Sequence, residues 1–124
     1  MGYDLHIVRT KSWVDAETNP VTKQDVDVLI ANDPELEWST SDYSDMKEDD
    51  GTIARYFKIK WNGKPRFWWY KNEITCKNPD ETTQLKLIQL AKKLGAFCVG
   101  DENERYDLKK GFFGKEKLVI IPEG

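Results

Sequence analysis

His6 is the single histidine of this chain, and Cys76 and Cys98 are its two cysteines, so residues suited to nucleophilic, acid-base or metal chemistry are few. One His and two Cys fall short of a structural zinc set unless carboxylates complete it. His6 alternates with Leu5 and Ile7, which puts it on the polar side of a strand and reads as a structural or exposed side chain ahead of a catalytic base. The opening "MGYDLHIVRT" is polar at every other position and does not read as a secretory leader, so the two cysteines are expected in a reducing compartment. They read as reduced, partly buried thiols that a sheet could bring close. "DENERYD" at 101–107 clusters carboxylates but lacks the central Gly and closing Glu of a calcium loop, and reads as a solvated turn. No Gly-rich turn opens a helix, and "VGDENE" has no phosphate-loop lysine. No catalytic residue, metal or cofactor is assigned on this basis.

The sharper signal is aromatic. "WNGKPRFWWY" at 61–70 holds Trp61, Phe67, Trp68, Trp69 and Tyr70 around an Asn-Gly pair that suits a tight two-residue hairpin. Such a turn would set Phe57 opposite Trp68 and Tyr56 opposite Trp69. Phe57, Ile59, Trp68 and Tyr70 would then face the helices, with Tyr56, Lys58, Lys60, Phe67, Trp69 and Lys71 on the other side. That second face could stack unpaired bases or anchor a protein partner. Alternatively, the 35–52 stretch with Trp38 and Tyr43, or the tail with Phe112 and Phe113, would lie over it.

Between Glu35 and Gly51 stand Glu35, Glu37, Asp42, Asp45, Glu48, Asp49 and Asp50 against Lys47, which reads as an acidic loop. These carboxylates would repel a polynucleotide and attract a basic protein.

The elements that must hold these residues follow from patterning. "YDLHIVR" is a first strand. Thr22 with Asp25 makes a capping box, and Val21 staples to Val26, which opens a short helix buried through Val26, Leu29 and Ile30 and closing near Asn32. "IARYFKIKW", the hairpin's second arm and "EITCK" add strands. Asp80 caps a longer helix with a Leu87, Leu90, Ala91, Leu94 stripe, closed by Gly95. "AFCVG" and "RYDL" are two more strands, and "GFFGKEKLVIIPEG" is an edge strand or an arm. The expectation is one α+β domain over residues 1–124, with a mainly antiparallel sheet and two helices packed on one face. Its arrangement would be a split βαβ resembling the ferredoxin-like topology.

With 124 residues, 39% hydrophobic and 12% aromatic, the chain is expected to fold without disulfide or metal staples. A net charge of -3 argues against nonspecific binding to phosphate backbones or anionic lipid. The longest apolar run, "LVII", is far short of a membrane span, and a cytoplasmic location is expected.

Taken in order, "GYDLHI", Trp13, "DPEL" at 33–36, "KNPD" at 77–80 and "LGAFCVGD" at 94–101 resemble a group of small bacterial proteins with a "GYDLHI" start. The likeness runs to about Leu108 and implies a compact α+β protein; it carries over no site residues. Small acidic proteins of this kind are also similar in role to the immunity proteins that neutralise bacterial toxins. The leading expectation is therefore a non-enzymatic inhibitor that occludes the basic active site of a partner protein such as a nuclease toxin. Its contacts would come from Glu37, Asp42, Asp45, Glu48, Asp49, Asp50, Tyr56, Phe67 and Trp69. The alternatives are a single-stranded nucleic-acid binder using the hairpin face, and a small enzyme in which His6 joins converging carboxylates.

Overall fold

Alternation of Leu5 and Ile7 with His6 builds β1 (Asp4–Val8), which pairs antiparallel with β5 (Glu73–Lys77) on one side and β6 (Phe97–Gly100) on the other. The computed structural model describes residues 4–47, 51, 53–70, 72–110 and 116–121, and not the side chains of 40–47, 53–55, 109–110 and 116–118. Its other strands are β2 (Leu36–Lys47), β3 (Ile53–Trp61), β4 (Lys64–Tyr70), β7 (Arg105–Lys110) and β8 (Glu116–Ile121). They form one sheet in the order β2-β3-β4-β5-β1-β6-β7-β8, and every neighbouring pair is antiparallel.

The expected α+β architecture is present. Because β5 and β6 both oppose β1, they run parallel to each other on either side of it, and α2 (Glu81–Lys93) joins them in a split βαβ unit. The other crossover, through α1 (Lys23–Ala31), is wider than the ferredoxin-like pattern. It carries the chain past three strands to the far edge, from which a four-strand meander returns to β1.

Local signals set both helices. Thr22 Oγ1 accepts from the Asp25 amide at 3.1 Å and Asp25 returns the bond to the Thr22 amide at 2.9 Å, a reciprocal cap of about 1 kcal/mol. Asp80 accepts from the Thr83 amide at 2.8 Å. At the other end of α2, Gly95 sits at φ 64°, which frees the Ala96 amide to donate to Ala91 O and the Gly95 amide to Lys92 O. Val26 and Leu29 from α1 and Leu87, Ile88, Leu90 and Ala91 from α2 share one core with Leu5, Ile7, Ile59, Phe67 and Ile74, so both helices cover the same sheet face. On the opposite face a 3-10 segment (Trp13–Thr18) packs Ala16 and Trp13 against Val8, Val99 and Phe97. The centre of the sheet is thus covered on both sides. Among the described residues no helix is long and apolar enough to cross a membrane.

Two expectations are corrected. The acidic stretch is not a loop: Leu36–Lys47 is an edge strand paired to β3, with Leu36 and Trp38 packing toward the core. Charged residues weaken a strand signal, yet an edge strand tolerates them because one of its sides and one of its faces meet water. The tail contributes the opposite edge, β8.

The second correction concerns the hairpin. Asn62 and Gly63 do make the two-residue turn, at φ 51° and 82°, with Trp61 opposite Lys64. The ladder then slips, because Lys60 pairs with Pro65 whereas Ile59 pairs with Phe67, which leaves Arg66 as the extra residue. Proline has no amide hydrogen for the ladder and is accommodated at such a bulge. One extra residue inverts the faces of β4. Phe57 consequently opposes Trp69, and Lys58 opposes Trp68.

Candidate functional site

The inversion decides which aromatics are available. Phe67 is 0% exposed within the core, and Trp69 packs against that core and donates its Nε1 hydrogen to Val21 O at 2.9 Å, so neither presents a contact surface as expected. Trp68 and Tyr70, expected beneath the helices, lie on the helix-free face with Tyr56 and Lys58. The Tyr56 and Tyr70 rings stack there, with centroids 4.0 Å apart and planes 4° from parallel.

These rings floor a cleft of about 890 Å³. Its floor crosses β3, β4, β5 and β1 through Tyr56 and Lys58, Trp68 and Tyr70, Glu73, Thr75 and Lys77, and Asp4 and His6, and its wall is the 3-10 segment with Trp13, Val14, Ala16 and Glu17. Four carboxylates line it, from Asp4, Glu17, Glu73 and Asp101, against the lysines and His6.

His6 is the joint between floor and wall. Its ring is buried, with Nδ1 2.7 Å from Glu73 Oε1 and Nε2 2.8 Å from Asp101 Oδ1. Both nitrogens can donate only in the imidazolium; a neutral ring would turn one lone pair toward a carboxylate. Burial alone would lower the His6 pKa, but the hydrogen bonds and charges of Glu73 and Asp101 together exceed that effect and hold it above the ordinary 6.5. The Trp13 indole lies flat on the imidazole at 4.7 Å, 3° from parallel. It also donates its Nε1 hydrogen to Asp101 O at 3.0 Å, while the Trp13 amide donates to Asn103 Oδ1 at 3.1 Å. The turn after β6 is therefore an anchoring turn. Asp101 Oδ2 additionally accepts from the Asp4 amide at 3.1 Å.

The thiols stand apart. Cys76 and Cys98 flank β1 on the core face, opposite Leu5 and Ile7, and burial pushes their pKa values up to about 11 and about 12. Among the described residues no group of three or more His, Cys, Asp or Glu is arranged to hold a metal ion.

Of the expected contact residues, Tyr56 lines the cleft. Glu37 is exposed on β2, opposite Lys60. The backbones of Asp42, Tyr43 and Asp45 lie on β2, with side chains outside those described. Glu48, Asp49, Asp50, Lys71, Phe112 and Phe113 lie outside the described residues. Trp38 turns to the helix side, where its Nε1 donates to Asp27 at 2.7 Å, and so does not cover the open face. Sequence reasoning missed Trp68, Tyr70, Glu73 and Asp101. Pro65 inside a strand pattern was the available signal for the first two; nothing local marked the others.

No protein-family model matches the chain, and no curated protein or solved structure matches it.

Proposed function

We propose that the helix-free face is a protein-docking surface and that the protein is a non-enzymatic inhibitor of a basic partner, in the manner of an immunity protein that occludes a toxin's active site. The observation that carries this reading is the cleft, which joins aromatic rings able to act as rigid anchors with four surrounding carboxylates. The contact set differs from the sequence expectation: Trp68, Tyr70 and Glu17 join Tyr56, and Phe67 and Trp69 leave it. The test is to isolate protein partners from a bacterial lysate at low salt and then measure binding between purified components. Trp68→Ala should weaken that binding by roughly thirtyfold, the size of an interface hot spot. A partner that binds the variant as tightly as the wild type would overturn the reading.

A second reading rests on the same face. Tyr56, Trp68 and Tyr70 lie beside Lys58 and Lys77, the mixture of rings and cations that single-stranded nucleic-acid binders use. The neighbouring carboxylates weigh against it. Titrating single-stranded oligonucleotides against tryptophan fluorescence at two salt concentrations separates the readings, since this one requires affinity that falls steeply with salt.

A further inference from the structure

We infer that the wall of the cleft is latched by protonated His6, so that its deprotonation releases the Trp13–Thr18 segment and reshapes the docking face. The consequence for a partner rests on the docking reading above, whereas the latch is a property of the free protein.

The geometry concentrates the wall's attachment at one place. Trp13 is fixed three ways: its ring on the His6 ring, its indole hydrogen on Asp101 O, and its amide on Asn103. Two of these bonds come from the turn that Asp101 fastens to His6 Nε2. The rest of the segment adds little: Ala16 is its buried residue, Val14 is 64% exposed, and no side chain caps its start at Ser12. A segment with so few buried contacts is drawn from the low end of local stability.

When the imidazolium loses its proton, one ring nitrogen becomes an acceptor facing a carboxylate, and one of the two bonds must fail. Glu73 is 12% exposed and Asp101 38% exposed, so Asp101 is the carboxylate that can exchange its bond for water. The charge component of the stacking on Trp13 disappears in the same step. Other charged groups around the site include Asp4 on β1, Lys77 opposite it on β5, Lys58 on β3, Asp15 and Glu17 on the segment itself, Glu102 and Glu104 between β6 and β7, and Arg105 on β7, whose guanidinium lies 5.1 Å from the Phe97 ring. The two carboxylates at 2.7 and 2.8 Å stand in direct contact with the ring and dominate the proton's energetics.

The test uses the free, full-length protein. Nuclear magnetic resonance follows His6 ring protonation, and amide exchange follows Trp13–Thr18, as protection factors corrected for the intrinsic effect of pH. Between about pH 6 and about pH 9 the segment's protection should fall roughly tenfold in step with His6 deprotonation, while that of α2 stays level. Asp101→Asn removes one carboxylate but keeps the backbone carbonyl that holds Trp13, and should move the transition to lower pH. Circular dichroism shows whether that variant is folded; if it is not, the wild-type titration decides alone. Level protection while His6 titrates, or a His6 that stays charged throughout, would overturn the latch. With an isolated partner, affinity should follow the same transition, and Trp68→Ala should weaken binding by the same roughly thirtyfold while leaving the latch titration in place. A working latch beside binding that ignores Trp68 would separate failure of the docking reading from failure of this one.

Discussion

Lys86 Nζ lies 2.9 Å from Asp33 Oδ2, an ion pair whose side chains are 8% and 3% exposed and which ties α2 to the turn between α1 and β2. Glu35 takes a second bond from the same ammonium at 2.6 Å. Lys86→Met would leave the Asp33 carboxylate buried without that partner, and water access on the half-exposed Glu35 side puts the cost at the lower end for such pairs, about 3 kcal/mol. Denaturant unfolding of the two proteins measures it. A loss below about 1 kcal/mol would mean that Lys93, 3.7 Å from Asp33, takes over the role.

Stability should pass through a plateau in mildly acidic solution. Burial works against the Asp33 carboxylate, but the Lys86 hydrogen bond, the Glu35 amide and the charges of Lys86 and Lys93 outweigh it and hold the pKa below 3.8. The hydrogen bond from the Thr22 amide chiefly lowers Asp25, helped by Arg9. These contributions are present above the ordinary carboxylate value and are lost as pH falls through the depressed ones. His6 acts with the opposite sign: its contribution is whole below 6.5 and is lost as pH rises through the raised folded-state value. Tm measured across pH should fall on both sides, and Asp101→Asn should flatten the alkaline side. An unchanged alkaline side in that variant would show that the Asp101 contact carries no linkage.

The bulge at Arg66 makes adjacent tryptophans behave differently. Phe67→Ala removes a side chain from the core and Trp69→Ala one that packs against it, and each should cost about 3–5 kcal/mol. Trp68→Ala changes the cleft floor and should cost about 1 kcal/mol or less. Chemical denaturation of the three variants provides the comparison. A larger loss for Trp68 than for Trp69 would restore the register without a bulge.

What could be read from the sequence depended on how far apart the interacting residues stand. The Thr22–Asp25 box, the Asp80 cap and the Gly95 closure are complete within a few residues, so both helices were legible with their ends. The α+β class followed from the order of elements. β2 was hidden because its strand preference is diluted by charge, and the faces of β4 depended on the parity of a single residue, Arg66. The site was the least legible part. Glu73 and Asp101 stand 67 and 95 residues from His6, and only the pairing of β1 with both β5 and β6 brings them to its ring. What Trp13 anchors to, the His6 ring and the turn after β6, belongs to the tertiary fold.

The two thiols provide a test of how tightly the sheet centre is closed. Cys76 is 1% exposed and Cys98 2% exposed, and desolvation, the largest influence on each, keeps both as thiols far above neutral pH. Nucleophilic attack needs an accessible thiolate, so neither should react with a maleimide or an aromatic disulfide in native buffer at about pH 8. Reaction therefore requires the β5–β1–β6 centre to open. Labelling rates measured at increasing denaturant should rise with the unfolded fraction, and both cysteines should become reactive together because they flank the same strand. If Cys98 reacts well before Cys76, the β6–β7 side separates from the sheet as a unit of its own, and the core joining Cys98 and Tyr106 to α2 is less cooperative than its packing implies.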